Sequence, residues 1–310
     1  MNTIDFFEAY RAENPSAITI GTFDGVHVGH KKIIENLIEK SEGLSTTLLT
    51  FFPHPRMVLQ QDSNIKLINT IDERIQLLEG TGLDTLIIYP FNREFSRLTA
   101  RDFVRDFLIA QLNLKKIIIG YDHRFGRNRT ANINDLREFG EAFDFKVEEI
   151  QAKEIDDVTI SSTKIRKALT EGDIDTANAY LGYEFMLTGI VIAGKGLGKQ
   201  INYPTANIYI KETYKLIPRQ GVYFIKSIIN DVPVFGMMNI GTNPTVKGTK
   251  QTIEVHFFDF NRDIYDEKIQ IRLIKRLRNE EKFDSVEKLQ QQLLSDKIQS
   301  LALIEKYHAQ

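Results

Sequence analysis

The chain has no cysteine in its 310 residues. That excludes disulfides, thiolate catalysis and cysteine-ligated metals, and it suits a reducing compartment. Nor does it contain a run of about 18 apolar residues, the minimum for a membrane span. Its opening, Met1-Asn2-Thr3-Ile4-Asp5-Phe6, carries an acidic residue where a secretory signal would have a basic region and an apolar core. A cytoplasmic location without membrane attachment is expected. The formal net charge is only -2, so no field of one sign is available to gather a polyanion. There is no helix-turn-helix signature and no long basic patch interleaved with aromatics, and no nucleic-acid partner is expected. What is present is ordinary globular composition, 42% hydrophobic and 26% charged, in a chain long enough for two domains.

The chain is organised around Gly21-Thr22-Phe23-Asp24-Gly25-Val26-His27-Val28-Gly29-His30. An apolar run, Ala17 to Ile20, leads into it, and Ile33, Ile34, Leu37 and Ile38 follow at helical spacing. Strand, Gly-rich turn and helix start is the arrangement that sets a phosphate over free backbone N–H groups. Histidines three apart at a helix start share one face. The dinucleotide spacing G-x-G-x-x-G is absent, and so is the lysine of a P-loop. Three readings follow from residue chemistry alone: a nucleotide-phosphate site with imidazole donors, a structural turn, or a two-histidine zinc site without a regularly spaced third ligand.

Strand and helix patterns alternate from residue 1 to about 183. Strands are expected at 45–52, 85–89, 116–119 and 145–150. Thr70 followed by Glu73 is a capping-box pattern for a helix carrying Ile71, Ile75 and Leu78. Thr99 caps another helix, with Phe103, Val104, Phe107 and Leu108 on its apolar face, and 136–143 reads as a third. Such alternation predicts a mostly parallel sheet with helices on both faces and ligands at the carboxyl ends of the strands. Polar clusters stand at those ends. His54 lies between Pro53 and Pro55, a stiff turn that holds its ring or is merely a rigid loop. Asp122, Arg124 and Arg127 accompany the glycines of the stretch 120–127, as a charged-ligand loop or a solvated turn. Ser161-Ser162-Thr163-Lys164-Ile165-Arg166 concentrates hydroxyls, N–H groups and a phosphate-clamping guanidinium in one helix start, or is a well-capped surface helix.

From Phe185 the texture changes to six strand-like runs without intervening helices, at 187–193, 205–210, 221–229, 232–240, 252–258 and 268–277. A closed antiparallel barrel is expected. A final helix, 285–307, carries an apolar stripe of Leu289, Leu293, Leu294, Ile298, Leu301 and Ile304. The domain boundary is placed at 184/185. Gly194-Lys195-Gly196-Leu197-Gly198-Lys199 is not a P-loop, since no Ser or Thr follows its lysine, yet it can wrap phosphates. Thr205 and Asn207 stand two apart at a strand start and suit Mg²⁺ together with nucleotide phosphates, unless they form only a capped turn. Glu254 and His256 share one strand face. A carboxylate there serves as a general base toward a primary hydroxyl or is an exposed strand glutamate. Arg272, Lys275, Arg276 and Arg278 read as a solvated basic face.

These motifs resemble, in order, those of the bacterial bifunctional riboflavin kinase/FMN adenylyltransferase (FAD synthetase) family. The first part is similar in its G-x-F-D-G-x-H-x-G-H, F-x-P-H-P, G-x-D-F-x-F-G and S-S-T-x-I-R stretches. His123 stands where the family usually has Phe. The second part is similar at Pro204-Thr205-Ala206-Asn207, Gly221-Val222-Tyr223, Gly241-Thr242-Asn243-Pro244-Thr245 and Glu254-Val255-His256. Its glycine loop has Leu197 and Lys199 where arginines are usual and Asn202 for a glycine. The resemblance implies an adenylyltransferase domain at 1–184 and a kinase domain at 185–310. It implies catalytic roles for His27, His30, Arg166 and Glu254. Substrate-binding roles follow for Gly21, Phe23, Asp24, Gly29, His54, Asp122, Ser162, Thr163, Gly196, Lys199, Pro204, Thr205 and Asn207, with Thr205 and Asn207 on Mg²⁺. ATP, riboflavin, FMN and FAD would be substrates or products of a monomer or weak homo-oligomer. The rival expectations are an adenylyltransferase with a weak or inactive kinase domain and a non-catalytic flavin- or nucleotide-binding regulator.

Overall fold

Short apolar runs separated by helices build the first part of the chain, and near-continuous strands build the second. The structure, a computed structural model, describes residues 1–5, 10–59, 65–120, 124–151, 160–194, 196, 198, 201–245 and 248–308. They divide into two compact units, Met1–Ser162 and Thr163–Gln310.

In the first unit the strands are β1 (Asn2–Ile4), β2 (Ser16–Ile20), β3 (Ser45–Phe51), β4 (Thr85–Tyr89), β5 (Leu114–Gly120) and β6 (Lys146–Ile150). They form one sheet in the order β1-β4-β3-β2-β5-β6, parallel throughout. The helices are α1 (Val28–Glu39), α2 (Pro55–Leu59), α3 (Ile71–Glu79), α4 (Ala100–Asp102) and α5 (Ile133–Phe143). Side-chain alternation along each strand feeds two separate cores. Ile18, Ile20, Leu49, Ile87, Ile117 and Ile119 pack with Phe103, Phe107 and Leu136. Ala17, Leu48, Leu86, Ile88 and Ile118 pack with Ile34, Leu37 and Leu78. Both faces are therefore covered by helices, as the apolar runs predict. From β2 the chain moves to β3 and β4 on one side, and later to β5 and β6 on the other. The strand order thus reverses at β2, and the Gly21–His30 stretch leaves the carboxyl end of that strand. Open parallel sheets bind ligands in the crevice at such a point.

The Thr70–Glu73 capping box is present: the Glu73 N–H donates to Thr70 Oγ1 at 3.1 Å, and the Thr70 N–H to Glu73 Oε2 at 2.9 Å. Two features lay beyond the sequence pattern. β1 has only three residues, too few to alternate, and exists by pairing with distant β4. The helix expected after Thr99 is α-helical only as α4 and then π-helical over Phe103–Ile109. All four of its expected apolar residues are nonetheless buried.

The second unit opens with most of α6 (Ser162–Glu171) and with α7 (Ile174–Leu181). Its strands are β7 (Phe185–Ile192), β8 (Ala206–Tyr209), β9 (Gly221–Ile229), β10 (Val232–Thr245), β11 (Gly248–Phe257) and β12 (Lys268–Arg278). They close a barrel in the order β10-β11-β8-β7-β12-β9, antiparallel throughout. α7 is tied to the barrel by Asn178, which donates to the Leu273 carbonyl and accepts from the Phe185 N–H. The final helix is α8 (Val286–His308). Its stripe is only half used. Leu293 and Ile304 pack against Val222, Met237 and Phe258, whereas Leu294, Ile298 and Leu301 are exposed. Polar anchoring compensates, for Arg278 of β12 makes a two-pronged contact with buried Asp296 of α8 at 2.9 and 2.8 Å. The late basic run is accordingly not one solvated face. Lys275 pairs with Asp175 at 3.4 Å, and Arg276 donates to the Gln220 carbonyl.

Candidate active sites

The turn leaving β2 is tightly wound. Phe23, Gly25 and Val26 all have positive φ, at 47°, 94° and 36°. For β-branched Val26 that is a disfavoured conformation of the kind that clusters at functional sites. Gly21 is needed because a Cβ there would stand 2.9 Å from the Phe23 ring. Asp24 is buried, and its carboxylate accepts from the backbone N–H groups of Ile68 and Asn69 at 2.9 and 3.3 Å. It also faces the Arg74 guanidinium at 3.8 Å.

His27 is the N-cap of α1, and its Nδ1 accepts from the His30 N–H at 3.3 Å. In the neutral ring the proton therefore sits on Nε2. The two imidazoles stack with centroids 3.6 Å apart and planes 16° from parallel, and the Phe23 ring lies 4.8 Å from His30. Burial, the neighbouring His27 and the Arg74 cation hold the His30 pKa well below its ordinary value. His30 Nδ1 is buried without a hydrogen-bond partner. Gly29, between them, is buried within α1. The pair thus combines a helix N-terminus with two stacked imidazoles, which suits anionic oxygens.

His54 follows β3, the strand beside β2, and is buried with its Nδ1 accepting from the Arg56 N–H at 3.1 Å. Ser162, the last residue of the first unit, donates from Oγ to the Asp24 carbonyl at 2.9 Å. Thr163 and Arg166 continue α6 in the second unit. Asp122 lies outside the described residues, as does His123.

In the barrel, Asn207 of β8 is the direct cross-strand partner of Glu254 of β11. Directly opposed residues of antiparallel strands project from the same face, about 5 Å apart at Cβ. The glycine loop closes onto the same place. A Cβ at Gly194 would fall 2.0 Å from Asn207 Nδ2, and one at Gly198 would fall 2.1 Å from the Tyr203 carbonyl and 3.4 Å from Thr205 Oγ1. At Gly196 φ is +72°, and among the described residues nothing beyond the chain neighbours lies within 4 Å of a would-be Cβ. Asn202 has φ +61°, a left-handed conformation that asparagine adopts after glycine most readily. Lys199 lies outside the described residues, with Lys195 and Leu197. His256, on the face of Glu254, donates from Nδ1 to the Pro204 carbonyl at 2.9 Å and packs edge-on against Tyr203. Burial pushes its pKa down. Among the described residues no three His, Cys, Asp or Glu side chains gather to hold a metal.

Sequence reasoning missed Arg74 and the bond from His256 to Pro204. A signal for the first existed: Arg74 falls between Ile71 and Leu78 on the buried face of α3, an anomalous place for a charge.

A parallel α/β unit with imidazoles at its topological switch point, joined in the chain to a barrel that sets a carboxylate beside an Asn and a glycine loop, is the architecture of an enzyme suited to transferring phosphate groups. The FAD synthetase family model matches residues 10–164, and the riboflavin kinase family model matches residues 181–304. The chain is 40% identical to the bifunctional riboflavin kinase/FMN adenylyltransferase of Buchnera aphidicola subsp. Schizaphis graminum, over 94% of each chain. It is 34% identical to that of Escherichia coli K12, over 91% of this chain and 90% of that protein. The chain belongs to the bifunctional riboflavin kinase/FMN adenylyltransferase family. A solved structure titled macrolide-efflux protein, from Streptococcus pneumoniae, superposes with a TM-score of 0.84 at 30% identity, over 95% of this chain and 96% of that one. Among the described residues no helix is long and apolar enough to cross a membrane.

Proposed function

We propose that the chain converts riboflavin to FAD in two ATP-dependent steps, one in each of two functional parts. It is a riboflavin kinase and an FMN adenylyltransferase. The functional parts are 1–184 and 185–310, so α6 and α7 fall in the first of them, although α6 begins inside the first family match and α7 ends at the start of the second. In the kinase, Glu254 takes the proton of the ribityl 5′-hydroxyl, whose oxygen attacks the γ-phosphorus of ATP; ADP leaves. Thr205 and Asn207 would hold Mg²⁺, which neutralises phosphate charge when bound and retains water and phosphate ligands. Gly196, Lys199 and Pro204 line the nucleotide. In the adenylyltransferase, a phosphate oxygen of FMN attacks the α-phosphorus of ATP and pyrophosphate leaves. No protein nucleophile is used, so the rate enhancement comes from positioning and charge stabilisation. His27 and His30 donate to phosphate oxygens. Gly21, Phe23, Gly29, His54, Asp122, Ser162, Thr163 and Arg166 bind the nucleotide or the flavin, and Asp24 acts through the turn it holds. The protein works in the cytoplasm, where both steps draw on ATP, as a monomer or weak homo-oligomer.

The observation that carries this reading is the cross-strand pairing of Glu254 with Asn207. A kinase half that had decayed, or a binding regulator, would have no reason to keep a base beside a metal-seeking oxygen. Chromatography of products from ATP, Mg²⁺ and riboflavin tests it, with both FMN and FAD expected. Glu254→Ala should abolish FMN formation and spare FAD formation from supplied FMN. His27→Ala or His30→Ala should do the reverse, with a loss of about 3 kcal/mol, on the order of a hundredfold. Riboflavin left untouched by the wild-type protein would sink the kinase half.

A further inference from the structure

Arg74 is among the most buried side chains of the first unit, at 1% exposure. Its guanidinium sits behind the β2 turn. Nη2 stands 3.8 Å from Asp24 Oδ1, and Nη1 stands 3.4 Å from Thr50 Oγ1. The Thr50 hydroxyl in turn donates to the Thr22 carbonyl at 3.1 Å. One cation thus reaches two points of the same turn, Thr22 through Thr50 and Asp24 directly. The Asp24 carbonyl also receives the Ser162 hydroxyl. Arg74 is itself fixed, because α3 starts in the Thr70–Glu73 capping box. The turn has need of such holding, since it carries Phe23 and Val26 at positive φ directly before the His27 cap.

We infer that Arg74 is a positioning residue for adenylyl transfer: by pinning Asp24 and Thr50 it holds the Thr22–Val26 turn, and with it the histidine pair at the start of α1. The inference rests on the assignment of that transfer to His27 and His30. The Arg74 charge also helps keep His30 neutral, in keeping with a place close behind the ring. A carboxylate that accepts from two backbone N–H groups and faces a cation at 3.8 Å has little freedom to rotate, and small displacements of reacting groups cost large factors in rate.

The test uses full-length Arg74→Met and Arg74→Lys proteins, with FAD formation from FMN and ATP measured beside riboflavin phosphorylation in the same preparation. Arg74→Met should lower kcat for FAD formation by about tenfold to a hundredfold, with KM for FMN and ATP changed by less than about threefold. Arg74→Lys, which keeps the charge but cannot face Asp24 and Thr50 with separate nitrogens, should fall between Met and wild type. Kinase activity should be unchanged. Wild-type kcat in a folded Arg74→Met protein overturns the inference, and so does a loss confined to KM, which would make Arg74 a binding residue. Should the Met variant melt its first unit, Arg74→Lys decides: a folded protein with reduced kcat supports the inference, and one with wild-type kcat overturns it. His30→Ala is run alongside. If it retains FAD formation, the histidine assignment itself has failed; if it loses activity while the Arg74 variants do not, only the role of Arg74 has.

Discussion

At the scale of single residues, the histidine pair is specified by what each ring nitrogen already does. His27 Nδ1 is committed to the His30 N–H, and His30 is kept neutral by burial first and by His27 and Arg74 after it. The sequence shows the two rings on one helix face; it does not show that one caps the helix on which the other rides. Arg74 and Asp24 are separated by a strand and two helices, and their meeting is a tertiary event that no local pattern encodes. The suppressed His30 pKa has a signed consequence. The unfolded chain takes up a proton near 6.5, the folded one only at lower pH, so U binds more protons through that window. The stabilisation is complete above about 6.5 and is lost as pH falls toward the folded pKa, with a slope of up to about 1.4 kcal/mol per pH unit. Denaturant melts of wild type and His30→Gln, compared from pH about 7.5 to 5, should show wild type weakening more steeply on the acid side. Equal slopes would contradict the shift.

At the scale of elements, local rules were readable wherever the chain satisfies itself locally. The Thr70–Glu73 box, the strand runs and the barrel alternation all rest on neighbours in sequence. β1 rests on a partner more than eighty residues away, and the π-helical Phe103–Ile109 on how its aromatic rings pack, including the stacked Phe103 and Phe107 at 5.5 Å. The glycine loop is intermediate. Its composition announces close approach, but only the structure says to what. Gly194 approaches the Asn207 amide so closely that a methyl group would lie 2.0 Å from Nδ2. Gly194→Ala must therefore displace Asn207 or the loop. Riboflavin kinase activity should fall at least about tenfold, a magnitude typical of misplaced binding groups, while FAD formation from FMN is kept. Kinase assays over a series of Mg²⁺ concentrations check it, since a displaced Asn207 should raise the Mg²⁺ requirement. An unchanged Mg²⁺ dependence would remove Asn207 from the metal.

At the scale of the whole molecule, the change from alternating α/β to continuous strand is written in the composition, and two folds follow from it. How α8 is fastened to the barrel was not legible, because the apolar stripe suggested greasy packing along its whole length. Instead Leu294, Ile298 and Leu301 face outward, and the helix is held at mid-length by Asp296 against Arg278. The Asp296 side chain is 2% exposed and that of Arg278 17%, with Gln292 donating a further bond to Asp296 at 2.9 Å. Removing one member of such a pair leaves the other desolvated and uncompensated, which costs about 3 kcal/mol. Asp296→Ala should therefore lower the stability of the barrel, β7 to α8, by about that amount. The α/β unit, with its own two cores, should be untouched. Thermal unfolding followed by both activities after heating tests this: kinase activity should be lost at a lower temperature than in wild type, while FAD formation from supplied FMN survives to the wild-type temperature. Coincident loss of both activities would mean that the two units do not unfold independently, whatever their separate chemistry.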